Sequence, residues 1–199
     1  MRIQVGLSVS ATDLVSGDVI AAALPNPSSP QGPKLTVPQD MADQASAKPY
    51  NSGGYVGTEL VFTNLSFSQL AELISGGTNE KGRFDIKLAR SQDLVNLYGN
   101  ADLTQLTSDA QVQLKVSFPG TIMSTNGTNN AGTITWSLPP GQSTNFNATA
   151  QYVNGGFIRP WSYWATALGG TGALIAVLVG LLALWARRRN IRKEAQQDM

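Results

Sequence analysis

Apolar and polar side chains alternate from the first residues of the chain. Ile3, Val5, Leu7 and Val9 fall on one side and Arg2, Gln4, Ser8 and Ser10 on the other, the period of a half-buried β-strand. Ser16-Gly17-Asp18 reads as a turn, and Val19 to Leu24 as a second strand that pairs with the first. Pro25, Pro27, Pro30 and Pro33 then remove backbone donors from one stretch, which predicts an exposed loop. Pro38 in a first-turn position, followed by Asp40, Met41, Ala42 and Ala45, predicts a short helix ending near Ala47. Gly53-Gly54 turns the chain into a strand from Tyr55 to Thr63.

The sharpest local boundary comes next. Ser66 and Gln69 have the spacing of a capping box, Leu65 and Leu70 that of a hydrophobic staple, and Phe67, Leu70, Leu73 and Ile74 share one helical face. A helix from Phe67 to Ser75 is predicted, stopped by Gly76-Gly77. Beyond it, Phe84, Ile86 and Leu88 alternate with Asp85, Lys87 and Ala89, and Leu94 to Ala101 returns as an antiparallel partner. Val112, Leu114, Val116 and Phe118 give the cleanest period-two stretch and predict a central strand. Thr121 to Ser124 and Thr133 to Leu138 read as a hairpin across the loop from Asn126 to Gly132, and Asn145 to Val153 as the last strand. The elements add up to an α+β fold, a mainly antiparallel β-sheet with two short helices.

A different pattern starts after a linker at 154–163. Ala165 to Ala186 holds no charged or amide side chain, and about 22 residues at 1.5 Å each span about 33 Å, enough for a hydrocarbon core of about 30 Å. Trp161 and Trp164 before this run and Trp185 at its end suit the headgroup level, while Arg187, Arg188 and Arg189 predict a cytoplasmic tail. The expected organisation is an extracytoplasmic domain at 1–153, a single transmembrane helix at 164–186 and a basic tail at 187–199. Gly172, Ala176 and Gly180 set small residues four apart, which allows a weak homodimer or reflects the ordinary content of a single-span helix.

Composition narrows the chemistry. The chain carries a net charge of +1 with no cysteine and no histidine, and most of the positive excess lies in the tail, so the domain has no basic face for nucleic acid. Disulfides, thiol nucleophiles, imidazole bases and nearly all zinc, copper or haem sites are excluded. No cofactor and no metal are expected. Asp85, Asp93, Asp102 and Asp109 stand beside turns or on outward strand positions, where solvated carboxylates are ordinary. Glu59 shares a strand face with Tyr55, Gly57 and Val61. It reads as an outward surface group, with a cavity position and a raised pKa as the alternative. Without a histidine no hydrolytic triad is available, and no enzymatic role is expected. Asn64, Asn126 and Asn147 begin glycosylation-type sequons that read as chance matches.

Several ordered segments carry a resemblance: VSGDVIAAAL at Val15 to Leu24, GGYVGTELVFTNLSF at Gly53 to Phe67, NADLT at Asn100 to Thr104, VQLKVSFPG at Val112 to Gly120 and TITWSLPPG at Thr133 to Gly141. Together they resemble the LppM family of actinobacterial envelope lipoproteins. The resemblance implies export, a lipidated cysteine after a signal peptide, an α/β domain with an apolar cavity, and binding of phosphatidylinositol-mannoside-type glycolipids. In this chain Met1 stands where the family's cysteine would precede Arg2, and no apolar export segment comes first. The expectation is a natural start upstream of Met1; a processed form or post-translational insertion of the anchor are the alternatives.

The inner positions Ile3, Val5, Leu7, Phe84, Ile86, Leu88, Val112, Leu114, Val116, Phe118 and Trp136 offer more apolar surface than two short helices cover. A closed core and a lipid cavity both account for that surplus, and the resemblance favours the cavity. Tyr50, Tyr55, Tyr98 and Trp136 are the candidate ligand-binding aromatics. The expected function is a non-catalytic, membrane-anchored envelope protein that binds an amphiphilic lipid or glycolipid. The alternative is a protein-protein module that organises or senses an envelope complex.

Overall fold

The computed structural model describes residues 1–27, 29–76 and 82–152. The expected anchor at 164–186, with its interface residues Trp161, Trp164, Trp185, Arg187, Arg188 and Arg189 and the dimer stripe Gly172, Ala176 and Gly180, lies outside the described residues. Among those described, no helix is long and apolar enough to cross a membrane.

The chain forms strands β1 (Arg2–Val9), β2 (Leu14–Ala23), β3 (Ala45–Ser52) and β4 (Tyr55–Ser66), the helix α1 (Phe67–Gly76), and strands β5 (Arg83–Ser91) and β6 (Leu94–Asp102). Strands β7 (Gln111–Ser117), β8 (Thr121–Thr125), β9 (Thr128–Asn130), β10 (Thr133–Leu138) and β11 (Ser143–Gln151) complete it. One sheet has seven strands in the order β3-β4-β2-β1-β7-β10-β9, and a second has four in the order β5-β6-β11-β8. All pairings are antiparallel except β1 with β7. That parallel pair needs a long crossover, and the intervening chain uses its length to build β3, β4, α1, β5 and β6.

The alternating pattern decides the architecture. Ile3, Val5, Leu7 and Val9 of β1, Val112, Leu114 and Val116 of β7, and Ile134, Trp136 and Leu138 of β10 are buried on one face of the large sheet. Phe84 and Ile86 of β5, Val95 and Leu97 of β6, and Phe146, Ala148 and Ala150 of β11 are buried on the facing side of the small sheet. All belong to one core cluster, and the Trp136 and Phe146 rings meet across it at 5.8 Å between centroids, within the range of favourable aromatic pairs. The apolar surplus read from the sequence is therefore covered by a second sheet rather than by helices, and Leu88, assigned to the inner face, is only half-buried.

Three expectations are corrected. The second helix is only a 3-10 turn at Gln39–Met41, because Pro38 adopts an extended ψ of 145°, and Ala45 onward pairs with β4 as an edge strand that tolerates Pro49. The first turn lies at Ser10 to Leu14, where Asp13 takes a φ of +61° and the Ser10 hydroxyl accepts from the Leu14 amide at 3.0 Å. Gly17 and Asp18 are inside β2. The hairpin expected between Thr121 to Ser124 and Thr133 to Leu138 does not form, since β8 pairs with β11 while β10 pairs with β7 and β9. The chain changes sheets at Asn126-Gly127. Asn126 Oδ1 accepts from the Trp136 indole N–H at 2.8 Å and from the Asn147 amide at 2.9 Å, and its amide group donates to Asn145 O at 3.0 Å. Any Cβ at position 127 would come within 2.7 Å of the Trp136 ring, which is why glycine follows.

The two layers are clasped where β1 ends. The Tyr152 hydroxyl donates to Ser10 O at 2.7 Å, Arg90 at the end of β5 bonds Asp13 at 2.9 Å, and the same guanidinium sits 4.4 Å over the Tyr152 ring.

Candidate functional site

At the opposite end of β1, β2 and β5 the layers are joined differently. Helix α1 starts beside Leu14 at the clasp end, where Ser66 pairs with Leu14, and its later residues reach the opposite end; its start is built as the sequence implied. Ser66 N donates to Gln69 Oε1 at 2.9 Å and Gln69 N to Ser66 Oγ at 3.3 Å, while Leu65 and Leu70 are both fully buried. Gln69 also donates to Gln44 Oε1 at 3.0 Å, tying the first turn to the segment ahead of β3. The later residues Leu73 and Ile74 face a cavity of about 50 Å³. Ile3 and Val5 of β1, Val19 and Ala21 of β2, and Leu60 of β4 form its floor, and Leu35, Gly82 and Phe84 complete the wall. Val19 is half-buried although Val15 and Ala21 in the same inner row are closed, so the lining is not sealed at that point.

A second hollow adjoins the first. A groove of about 370 Å³ runs between Ala71 and Ser75 of α1 and the outward residues Arg83, Asp85, Asn100 and Asp102, and it shares Phe84 with the apolar cavity. Cross-strand register sets the polar residues in two facing pairs, Arg83 with Asp102 and Asp85 with Asn100. The Asp102 carboxyl is held below the usual carboxylate range, chiefly by the Thr104 hydroxyl, which donates to it at 2.7 Å. The Asn100 amide is engaged by Ser143 and Asn145, which leaves one guanidinium and two carboxylates to exchange hydrogen bonds with a polyhydroxylated group. Among the described residues no three acidic groups converge on a metal-sized site.

The four aromatics expected to bind ligand do not meet. Tyr50 and Tyr55 lie on the outer face of the large sheet, where Tyr50 pairs with Gly57 and Arg2 stacks 4.2 Å over the Tyr55 ring. Tyr98 is exposed on the outer face of the small sheet, and Trp136 is core, with its N–H already satisfied. Sequence reading missed Leu35, which lies in an aperiodic proline-rich stretch. It set Asp85 and Asp102 aside as turn carboxylates; the alternation around Phe84 was their only signal, because the groove depends on where α1 packs.

The back of the cavity wall carries the most perturbed acid. Burial first, and then the neighbouring Glu59, push the Asp18 carboxyl up to about 6, with Lys48 and Lys115 pulling the other way. Its position depends on Gly6 in the adjacent strand, where a Cβ would come within 2.8 Å of Asp18 Oδ1. Glu59 itself points outward and pairs with Lys48 at 3.4 Å.

Comparison with known proteins places this architecture. The LppM domain model matches residues 2–152, which include both sheets, α1 and both hollows. The chain belongs to the LppM family. Protein LppM of Mycobacterium tuberculosis is 34% identical over 200 residues, spanning 100% of this chain and 87% of that protein. The NMR structure of the folded domain of the same LppM superposes with a TM-score of 0.67 at 36% identity, covering 77% of this chain and 91% of the domain. The LppM resemblance read from the sequence segments is thus shown, and with it a mainly β fold bearing one helix.

Proposed function

We propose that this LppM-family domain binds an amphiphile, with an acyl chain in the cavity beneath α1 and a hydroxylated headgroup in the adjoining groove. One observation carries the reading: an apolar hollow and a polar one share Phe84 in their linings and both border the second half of α1. Ligand pockets for small molecules usually measure about 300–1,000 Å³, so a cavity of about 50 Å³ has to widen to take an acyl chain. Opening follows from the helix. The first turn of α1 is fixed by the capping box and Gln44, whereas Leu73 and Ile74 border the cavity, so displacement of the C-terminal half admits a chain.

The groove favours a sugar or inositol over a cluster of phosphates, because its lining sets Asp85 and Asp102 beside a single guanidinium, Arg83, and the neighbouring Lys87 is already paired with Asp85 at 3.4 Å. A glycosylated phosphoinositide of the phosphatidylinositol-mannoside type fits that balance, with Arg83 meeting a single phosphate. Binding is non-catalytic, and the protein is held in the cell membrane by the apolar segment at 164–186 with the domain outside. The alternative, a protein-protein module acting through a sheet edge, has less support, since the edge strand β3 carries Lys48 and Pro49, residues that blunt strand addition.

Full-length protein purified from an actinobacterial membrane and examined by native mass spectrometry tests the proposal. Bound lipid is expected, and it should be absent from Ala21→Phe, which fills the cavity. Wild-type protein that carries no lipid, or an Ala21→Phe variant that carries as much, would overturn it.

A further inference from the structure

The cavity end of the large sheet has an edge that the proposed lipid binding does not use. The last pair of β2 and β4 is Ala23 with Val56, and the next residue, Leu24, is 59% exposed. The loop that leaves at Leu24 returns against the same spot. A Cβ at Gly32 would come within 2.1 Å of Val56 O, and Thr58 Oγ1 donates to Pro33 O at 2.9 Å. Leu24 and the exposed Lys34 therefore flank one strand end, and Leu35, the next residue, turns in to line the cavity. Tyr55 directly precedes Val56, with Arg2 over its ring, and Tyr50 is the cross-strand partner of Gly57. Neither Arg2 nor Lys34 takes part in an ion pair among the described residues. Glu59, further along β4, is matched by Lys48.

An exposed leucine, two half-buried tyrosines and two unpaired cations on one edge are the groups that settle at a bilayer interface. The leucine inserts, phenols sit at headgroup depth and cations meet anionic lipid. We infer that this edge docks the domain on an anionic lipid surface, which sets the Leu35 wall of the cavity against the layer that supplies its occupant. The inference deepens the proposed lipid binding and rests on it.

The chain has no cysteine, so single labels can be placed without background. Full-length protein carrying an environment-sensitive fluorophore at Leu24→Cys is reconstituted in nanodiscs containing phosphatidylglycerol and nitroxide-labelled lipid, with Met123→Cys, 58% exposed on β8, as the control site. The label at 24 should be quenched and that at 123 should not. Replacing Arg2 and Lys34 with glutamine should weaken engagement roughly tenfold or more, since each cation near an anionic surface contributes about a fivefold preference. A label at 24 that remains in water overturns docking and leaves the edge to a protein partner. Equal quenching at both sites, or equal quenching in purely zwitterionic discs, overturns it as well. Lipid retention measured on the same samples separates the two ideas. Retained lipid with an unquenched label removes docking alone, and a quenched label without retained lipid removes the cavity reading alone.

Discussion

The two ends of the sandwich are built from the same strands and held by different forces. Where β1 stops, Tyr152, Arg90, Asp13 and Ser10 join the layers with directional contacts at 2.7 and 2.9 Å and with a cation over an aromatic ring. Where β1 starts, Leu73, Ile74 and Leu35 lie on an apolar floor that they do not fill. Hydrogen bonds and ring contacts fix a geometry, whereas apolar contact over a void fixes only proximity. One end is therefore suited to hold the layers in register and the other to change shape.

The largest test of that division removes the clasp. Tyr152→Ala deletes a ring that is 7% exposed together with its hydroxyl bond, and should cost about 3–5 kcal/mol in urea denaturation. Lipid retention by the folded fraction should stay as in wild type. Leu73→Ala at the other end should cost less, about 2 kcal/mol, near the lower limit for a leucine truncation because the void already exists and α1 can settle into it. It should raise retention of a long-chain lipid. If the two substitutions cost the same and both abolish retention, the ends are one cooperative unit and the contrast fails.

What was legible in the sequence divides along similar lines. Period-two alternation placed β1, β7 and β10 closely, and the Ser66–Gln69 spacing marked the start of α1, because in both cases neighbours in the chain are also neighbours in space. Partnership between distant segments was not legible. Nothing local says that β8 pairs with β11 while β10, only a few residues on, pairs with β7; that choice depends on Asn126 and Gly127 at the crossing between sheets. The cavity was inferred as a surplus of apolar positions, yet its wall at Leu35 belongs to no periodic element. Tyr50, Tyr55, Tyr98 and Trp136 were chosen as aromatics alone, and side-chain type does not reveal which face of which sheet will carry it.

The ends should also differ in their response to pH. Asp18, behind the cavity wall, has its pKa raised from 3.8 to about 6, mainly by burial. A raised pKa means that the folded state binds the proton more tightly, so the associated stability is full below about 3.8 and is lost as pH rises through about 6. Asp18→Asn removes that loss and should stabilise the domain by about 1–2 kcal/mol at pH 7, after allowance for partial solvent screening, with no gain near pH 3. At the clasp, burial and Asp13 raise the Tyr152 phenol to about 12, with Arg90 opposing. By the same sign rule, stability at that end persists to about pH 10 and falls as pH rises through about 12. Denaturation curves of Asp18→Asn and Tyr152→Phe across both ranges check the assignment. A change in the alkaline limb from Asp18→Asn would show that the ends titrate together.

The smallest effect bears most directly on how the cavity opens. Gln69 closes the capping box and reaches Gln44, so it fixes the first turn of α1 while leaving the second half to rest on the void. Gln69→Ala should cost about 1 kcal/mol, the usual worth of a helix cap. A static lid would show only that loss. A helix that pivots on its capped turn should also take up a fluorescent fatty-acid probe faster and release it faster, because the fixed point itself has loosened, with equilibrium affinity changed little. Stopped-flow mixing separates these outcomes. Unchanged probe kinetics alongside the expected loss of stability would mean that entry does not run through α1, and that the cavity end is closed by its sheets as firmly as the clasp.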